Sequence, residues 1–467
     1  MLAGMFPPCP FPAQLAALEA PLVAPAATTG AKTDRDAFGA WPHERGSANF
    51  VVKWGNSGGV EAGDADVVLD LFEAAWAVEI AEMGHRPPAG ADTWRFNVYL
   101  ADTGDGAPPS YGYAGYYTVD AEGWPMVVLN PNALAAGYAP TTSAHEFYHA
   151  VQHATGAYLD DPAADWWWEA TAMWVEGEVW PDDADESAFT FGFGLAPQLP
   201  LWHFDRYTTG TLREYHAYGA FLFPRFLSEV VGDADTVTAT WTEAGDLPTP
   251  QAYLASSLDL PETFASFMAH NARWDYADGD LYAANLDAYR DEFGDDPDEQ
   301  EVAARLTGPG TAGGLMVHGG GYAQVDLVDP GAWTWTATVS PVAGAELLGT
   351  VVRDTPEGAR YVPLVADGAG GLAASWTAGA GDGTTRVVLG TLTPADDAWS
   401  MTVALDAAPI ADGDTGGMGD TGATPDAACG CASGVGAGLG WWSLLAAALT
   451  RRRGPRRAPS ARSTQTR

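Results

Sequence analysis

Two histidines four residues apart, His145 and His149 in the run His-Glu-Phe-Tyr-His, and a glutamate twenty residues further on, Glu169, constrain this chain more than any other feature. In a helix, residues four apart lie one above the other, so two imidazoles at this spacing address one point. Two histidines and a glutamate form one of the ligand sets of catalytic zinc, which keeps a fourth position open. The fold must then press a second helix, carrying Glu169, against the first. Glu146 sits one residue further round, beside the point of convergence and free to act as a base.

The flanking sequence agrees with two helices. Thr141-Thr142-Ser143 supply N-cap hydroxyls, Ala144, Phe147, Ala150, Val151 and Ala154 give an apolar stripe at helical spacing, and Gly156 marks the end. Trp166–Val175 reads as the second helix, and Glu169 and Glu176, seven apart, share one helical face. Glu169 is assigned to zinc. Glu176 is assigned to orienting a ligand histidine, with a solvated surface carboxylate as the alternative. For the motif as a whole the alternative is two histidines satisfied on a helix surface.

HExxH followed by Trp-x-x-Glu-Ala-Thr-Ala, with nineteen residues between the second His and that Glu, resembles the gluzincin metallopeptidases, the thermolysin-like and aminopeptidase-N-like group. The match falls on His145, Glu146, His149 and Glu169. The runs HEFYHAVQ, WWWEATAMWVE, EVWPD and YGAFLF are similar to a set of secreted bacterial metallopeptidases of myxobacterial type, over roughly residues 45–290. The Gly-x-Met-Glu-Asn exopeptidase signature is missing, which favours endopeptidase action. The resemblance implies an α+β zincin (thermolysin-like) catalytic domain in which an edge strand above the cleft pairs with substrate. Trp124–Asn130 is the candidate edge strand, an ordinary core strand being the alternative. It also implies a Tyr or His oxyanion donor in 213–219. Tyr215 and Tyr218, three apart on one helix face, are the first choice and His216 the second.

Composition sets the remaining bounds. With 467 residues, 47% hydrophobic, and 19 Trp and 17 Tyr, the chain can bury large cores. The formal net charge is -39; seven arginines in 451–467 carry the opposite sign, so residues 1–450 hold -46. Such an acidic body argues against nucleic acid as a partner. It suits saline surroundings, divalent cations or basic substrates. Asp102, Asp105 and the group Asp182, Asp183, Asp185 and Glu186 are calcium candidates whose spacing does not fit an EF-hand loop, with solvated acidic turns as the alternative.

The chain divides into five parts. Residues 1–30 are a leader or atypical signal region, without Lys or Arg and broken by prolines around Cys9. Residues 31–300 form the metallopeptidase domain: a helix over 64–83, strands at Arg95–Leu100 and Met126–Leu129, then helices over 211–231 and 261–295. Residues 314–407 break into short β-rich runs, among them Tyr322–Leu327 and Trp333–Val339, as in an accessory antiparallel β-sandwich. Residues 408–428 are a Gly/Asp/Thr-rich linker. Residues 429–467 combine Cys429-Gly-Cys431, an uncharged stretch Ala432–Thr450 just long enough to cross a bilayer, and an Arg-rich end.

This tail resembles the carboxy-terminal sorting signals of myxobacterial surface proteins. It implies export, processing near Cys429 and Cys431 by a sorting machinery, and attachment to, or release from, the cell surface; an uncleaved single-span anchor and a redox Cys-x-Cys pair are the alternatives. His318-Gly319-Gly320-Gly321 is no phosphate loop, lacking a Lys-Ser/Thr and a following helix. The expectation is therefore a zinc peptidase acting on peptide or protein substrates. A non-catalytic zinc-bearing surface adhesin would not need Glu146, and a glycan hydrolase would need two facing carboxylates instead of HExxH.

Overall fold

The computed structural model describes residues 32–36, 41–159, 161–183, 185–205, 211–293 and 303–410. The leader, the processing residues Cys429 and Cys431 and the apolar stretch Ala432–Thr450 lie outside the described residues. Among the described residues no helix is long and apolar enough to cross a membrane.

The first half builds one five-stranded sheet. Its strands are β1 (His43–Gly46), β2 (Phe50–Trp54), β3 (Phe96–Leu100), β4 (Gly115–Val119) and β5 (Pro125–Leu129), in the order β1-β2-β3-β5-β4. Strands β2, β3 and β5 run parallel and are buried along their whole length, as expected of apolar runs covered on both faces. On one face lies α1 (Ala62–Trp76), continued by a π-turn at Ala77–Glu82. Phe50, Phe96 and Phe147 meet edge to face in that core, and Phe72 packs tilted against Phe50.

Strand β4 is antiparallel to β5 and occupies the edge. The Trp124–Asn130 segment is thus an interior strand, flanked by β3 and β4, and the edge-strand expectation moves to β4. A tight turn causes this: Asp120 Oδ1 accepts from the backbone N–H of Glu122 and Trp124 at 2.8 and 3.0 Å, and Gly123 takes φ 86°.

Helices follow: α2 (Pro131–Ala136), α3 (Ala139–Thr155), α4 (Asp165–Val179), α5 (Thr190–Gly194), α6 (Leu212–Gly219), α7 (Leu222–Phe226), α8 (Ala234–Thr242), α9 (Pro250–Ser257), α10 (Leu260–Asn271) and α11 (Gly279–Phe293). The continuous helix expected over 211–231 is broken after Gly219. Pro224 cannot donate to the Ala220 carbonyl, and Phe223 N–H bonds it instead at 2.9 Å.

The second half holds two more five-stranded sheets. One has the order β11-β10-β14-β8-β6 and the other β12-β13-β9-β15-β7. The ranges are β6 (Ala303–Leu306), β7 (Gly310–Val317), β8 (Gly321–Leu327), β9 (Trp333–Val339), β10 (Leu347–Thr355), β11 (Gly358–Pro363), β12 (Val365–Ala366), β13 (Leu372–Thr377), β14 (Thr385–Thr391) and β15 (Trp399–Pro409). Val325, Trp335, Ala337, Val387 and Met401, from both sheets, share one core. Two expectations change here. The sheets begin at Ala303, before residue 314, and β6 pairs with β8 in parallel, so the arrangement is not wholly antiparallel.

This β-rich half is packed into the helical half. Tyr322, Val352 and Val388 belong to the same apolar core as α3 and α4, and His270 of α10 stacks on Tyr361 at 4.8 Å. Backbone bonds join Leu201 N to Gly320 O (2.8 Å) and Tyr322 N to Pro197 O (2.7 Å). The glycine run makes this approach feasible. Gly320 has φ +91°, and a Cβ there would stand 2.4 Å from the Trp202 ring.

Candidate metal centre

Helix α3 starts earlier than its hydroxyl residues suggest. Pro140 lies in its first turn and the N-cap is Tyr138, without a side-chain cap. Thr141 and Ser143 therefore fall inside the helix and turn back to the carbonyls of Tyr138 and Pro140 (3.2 and 2.6 Å), rather than capping it. Gly156, at φ 74°, ends it in the left-handed conformation. After a short reversal, Asp161 Oδ1 accepts from Ala163 N at 2.9 Å and sets up the 3-10 turn that feeds α4.

The two helices pack so that His145, His149 and Glu169 converge. Among the described residues they form the one group of three or more His, Cys, Asp or Glu side chains whose donor atoms gather, all within 4.8 Å of one another. His145 Nε2 lies 3.2 Å and His149 Nε2 3.7 Å from Glu169 Oε2, and the two imidazoles stand edge to face, 4.7 Å apart. Ligands at zinc distances in a tetrahedron are separated by about 3.4 Å. All three residues are buried, yet His149 Nε2 and Glu169 Oε1 have no hydrogen-bond partner. Buried polar atoms without partners in a group of three converging side chains are what a bound cation would satisfy, so these residues fit a zinc ion.

Both imidazoles are braced on their far side. His145 Nδ1 lies 2.8 Å from Glu176 Oε1, and His149 Nδ1 lies 2.7 Å from Gln152 Oε1. Burial disfavours a charge on His145, but its hydrogen bonds to Glu169 and Glu176 outweigh that and raise its pKa well above the ordinary value. Burial dominates at His149 and pushes it down to about 4. Glu79, turned inward by the π-turn after α1, is fully buried with neither carboxylate oxygen bonded. Its burial raises its pKa well above the ordinary value, against the opposing pull of His145.

Glu146 is 2% exposed and lies against the edge strand: a Cβ on Gly115 of β4 would stand 3.2 Å from Glu146 Cγ. The three residues named on α6 separate. The Tyr218 ring lies over that of His145, 6.3 Å away with planes 18° apart. Tyr215 faces Phe189, Phe191 and Phe293 in a separate apolar cluster. His216 points to Phe193 and His203, and burial pushes it down to about 3. Tyr218 alone of the three is thereby brought to the group of His145, His149 and Glu169.

Among the described residues the acidic groups considered for calcium form no cluster of three donor atoms. Asp102 and Asp105 accept from the backbone N–H of Ser110 and Asn56 in turns, while Glu186 is buried 3.7 Å from Arg225. Trp166, Trp167 and Trp168 are wholly inside. Sequence reasoning passed over Gln152, although its place three residues after His149 puts both on one helix face. It also passed over Tyr117 of β4, whose hydroxyl meets His153 Nδ1 at 2.5 Å and ties the edge strand to α3.

Comparisons with known proteins add a family but no activity. No curated protein matches the chain. Among solved structures, the pre-peptidase C-terminal domain of a collagenase from Bacillus anthracis is 16% identical, with 23% of this chain and 96% of that one covered at a TM-score of 0.19. A family GH115 4-O-methyl-α-glucuronidase with specificity for decorated arabinogalactans is 10% identical, covering 58% and 39% at 0.15. TM-scores this low assign no fold. Residues 18–307, well over half of the chain, match the family of unknown function DUF6055, and the protein belongs to that family.

Proposed function

We propose that this protein is a zinc-dependent endopeptidase of gluzincin type with a zincin-like catalytic fold, exported and held at, or released from, the cell surface. One observation carries the reading: two imidazole nitrogens and a carboxylate converge, buried, at zinc-compatible separations, with Glu146 between the two histidines on the same helix. A parallel sheet closed by an antiparallel edge strand beside α3 supports it further.

His145, His149 and Glu169 would hold a zinc ion, which when bound would supply Lewis acidity toward a water and a carbonyl. Glu146 takes the proton from the attacking water and delivers it to the leaving amine nitrogen, so the C–N bond breaks after the C–O bond forms. Glu176 holds His145 from behind. Tyr218, laid against His145, is the candidate hydrogen-bond donor to the developing oxyanion. Strand β4, paired only with β5 in its sheet, offers backbone groups to an extended peptide. The export and anchoring part of the proposal rests on the tail resemblance.

The test joins metal analysis of the full chain with a peptide-library cleavage assay. The parent should carry about one zinc and cleave; Glu146→Gln should keep the zinc and lose hydrolysis, because a base and not a ligand is removed. Undiminished cleavage by Glu146→Gln rejects the peptidase reading. Zinc without any cleavage by the parent would leave a zinc-bearing surface adhesin.

A further inference from the structure

His149 and Gln152 lie three residues apart on α3, and the neighbours of Gln152 decide which way its amide points. Gln152 Nε2 is 2.9 Å from Trp168 O and 2.9 Å from Thr171 Oγ1. The Trp168 carbonyl can only accept, so the atom facing it is the NH2 group. The Thr171 hydroxyl gives the same answer independently. It donates its one proton to Trp167 O at 2.7 Å and accepts from the indole N–H of Trp241, a donor only, at 3.2 Å. Its remaining lone pair requires a donor, again the NH2 of Gln152.

With both amide hydrogens committed, Gln152 turns its oxygen to His149 Nδ1 at 2.7 Å. That oxygen cannot donate, so His149 Nδ1 carries the proton and Nε2 keeps its lone pair. We propose that Gln152 is a positioning residue that locks His149 in the Nδ1–H tautomer, its own orientation being set by Trp168, Thr171 and Trp241. The lock holds with or without metal. Its consequence for zinc rests on the proposed function: a bare Nε2 stands ready to ligate, 3.7 Å from Glu169 Oε2, with no tautomer to exchange first. The two imidazoles are thus braced unequally, His145 by the carboxylate of Glu176 and His149 by a neutral amide.

Nitrogen-15 NMR of histidine side chains in the metal-free full chain reads the tautomer directly, with His149 assigned by its loss in His149→Asn. The parent should show His149 protonated at Nδ1. Gln152→Leu, similar in size and without polar atoms, should release the tautomer and lower zinc affinity, measured against a chromophoric chelator, by roughly 10–100-fold. Thr171→Val, which removes one of the two acceptors holding the amide and keeps the Trp168 contact, should loosen the tautomer and lower zinc affinity in the same direction but less than Gln152→Leu. A parent His149 protonated at Nε2 overturns the proposal, as does a folded Gln152→Leu whose tautomer and zinc affinity match the parent. The parent measurement decides even where Gln152→Leu fails to fold. If the parent binds no zinc but keeps Nδ1–H, the lock stands and the metal reading falls.

Discussion

Replacing Gly115 by Ala tests whether β4 sets the position of Glu146, the proposed general base. The added methyl would stand 2.7 Å from Thr142 Cγ2, 3.2 Å from Glu146 Cγ and 3.3 Å from Val128 O. Carbon atoms in packed interiors keep about 3.5–4.0 Å apart, so the Thr142 contact is short by about 0.8 Å or more. Neither side yields easily. Thr142 is β-branched on a buried helix, and β4 is held by its ladder to β5 and by Tyr117 on His153. Overpacking of this kind costs roughly 1–3 kcal/mol. The strand and α3 must part by most of an ångström, and a misplacement of that size near the chemistry lowers turnover on the order of 10²-fold. The three atoms nearest the new methyl belong to Thr142, Glu146 and Val128 and not to His145, His149 or Glu169, so zinc content should be unchanged. Peptide hydrolysis, metal analysis and urea unfolding of Gly115→Ala, Thr142→Ala and the double variant give the answer. Thr142→Ala deletes Cγ2 and should restore most of the activity in the double variant, a strongly non-additive cycle. Gly115→Ala with activity within twofold of the parent, or a double variant as impaired as the single, refutes the reasoning.

Other outcomes can be checked with the same protein. Glu169→Ala should abolish stoichiometric zinc, whereas Glu176→Ala should weaken it by roughly 10–100-fold, as read by chelator competition; a larger loss from Glu176→Ala would reverse the two roles. Tyr218→Phe should cut kcat by roughly 10²–10³-fold at constant zinc, with Tyr215→Phe and His216→Phe nearer the parent, since only Tyr218 lies against His145. Burial raises Glu186 to about 7, although Arg225 lies 3.7 Å away. A carboxyl raised on folding contributes its stability below the unfolded value and loses it as pH climbs through the folded one. Urea unfolding should therefore show Glu186→Gln gaining on the parent, by as much as roughly 3 kcal/mol, between about pH 5 and about pH 8; parallel pH curves would contradict this.

Much of the chain could be read one residue at a time. The spacing of His145 and His149, the seven-residue interval from Glu169 to Glu176, Gly156 as a helix end and the alternation in Trp333–Val339 are properties of local periods of 3.6 and 2, which neighbours along the chain determine. Order in space is another matter. An apolar run such as Pro125–Leu129 looks the same at the edge of a sheet as in its middle, and only the Asp120–Gly123 turn, by folding β4 back on β5, makes β4 the edge. Which of Tyr215, His216 and Tyr218 meets the ligands depends on how α6 is rotated against α3 and α4, a packing outcome. The same holds for the β-rich half, whose parallel β6 pairing and shared core with α10 join residues far apart in sequence. The amide of Gln152 shows the division most plainly. Its place on the face of His149 follows from counting three residues along a helix, but the direction in which it points is decided by Trp168, Thr171 and Trp241, because a hydrogen-bonded amide takes its orientation from all of its partners together.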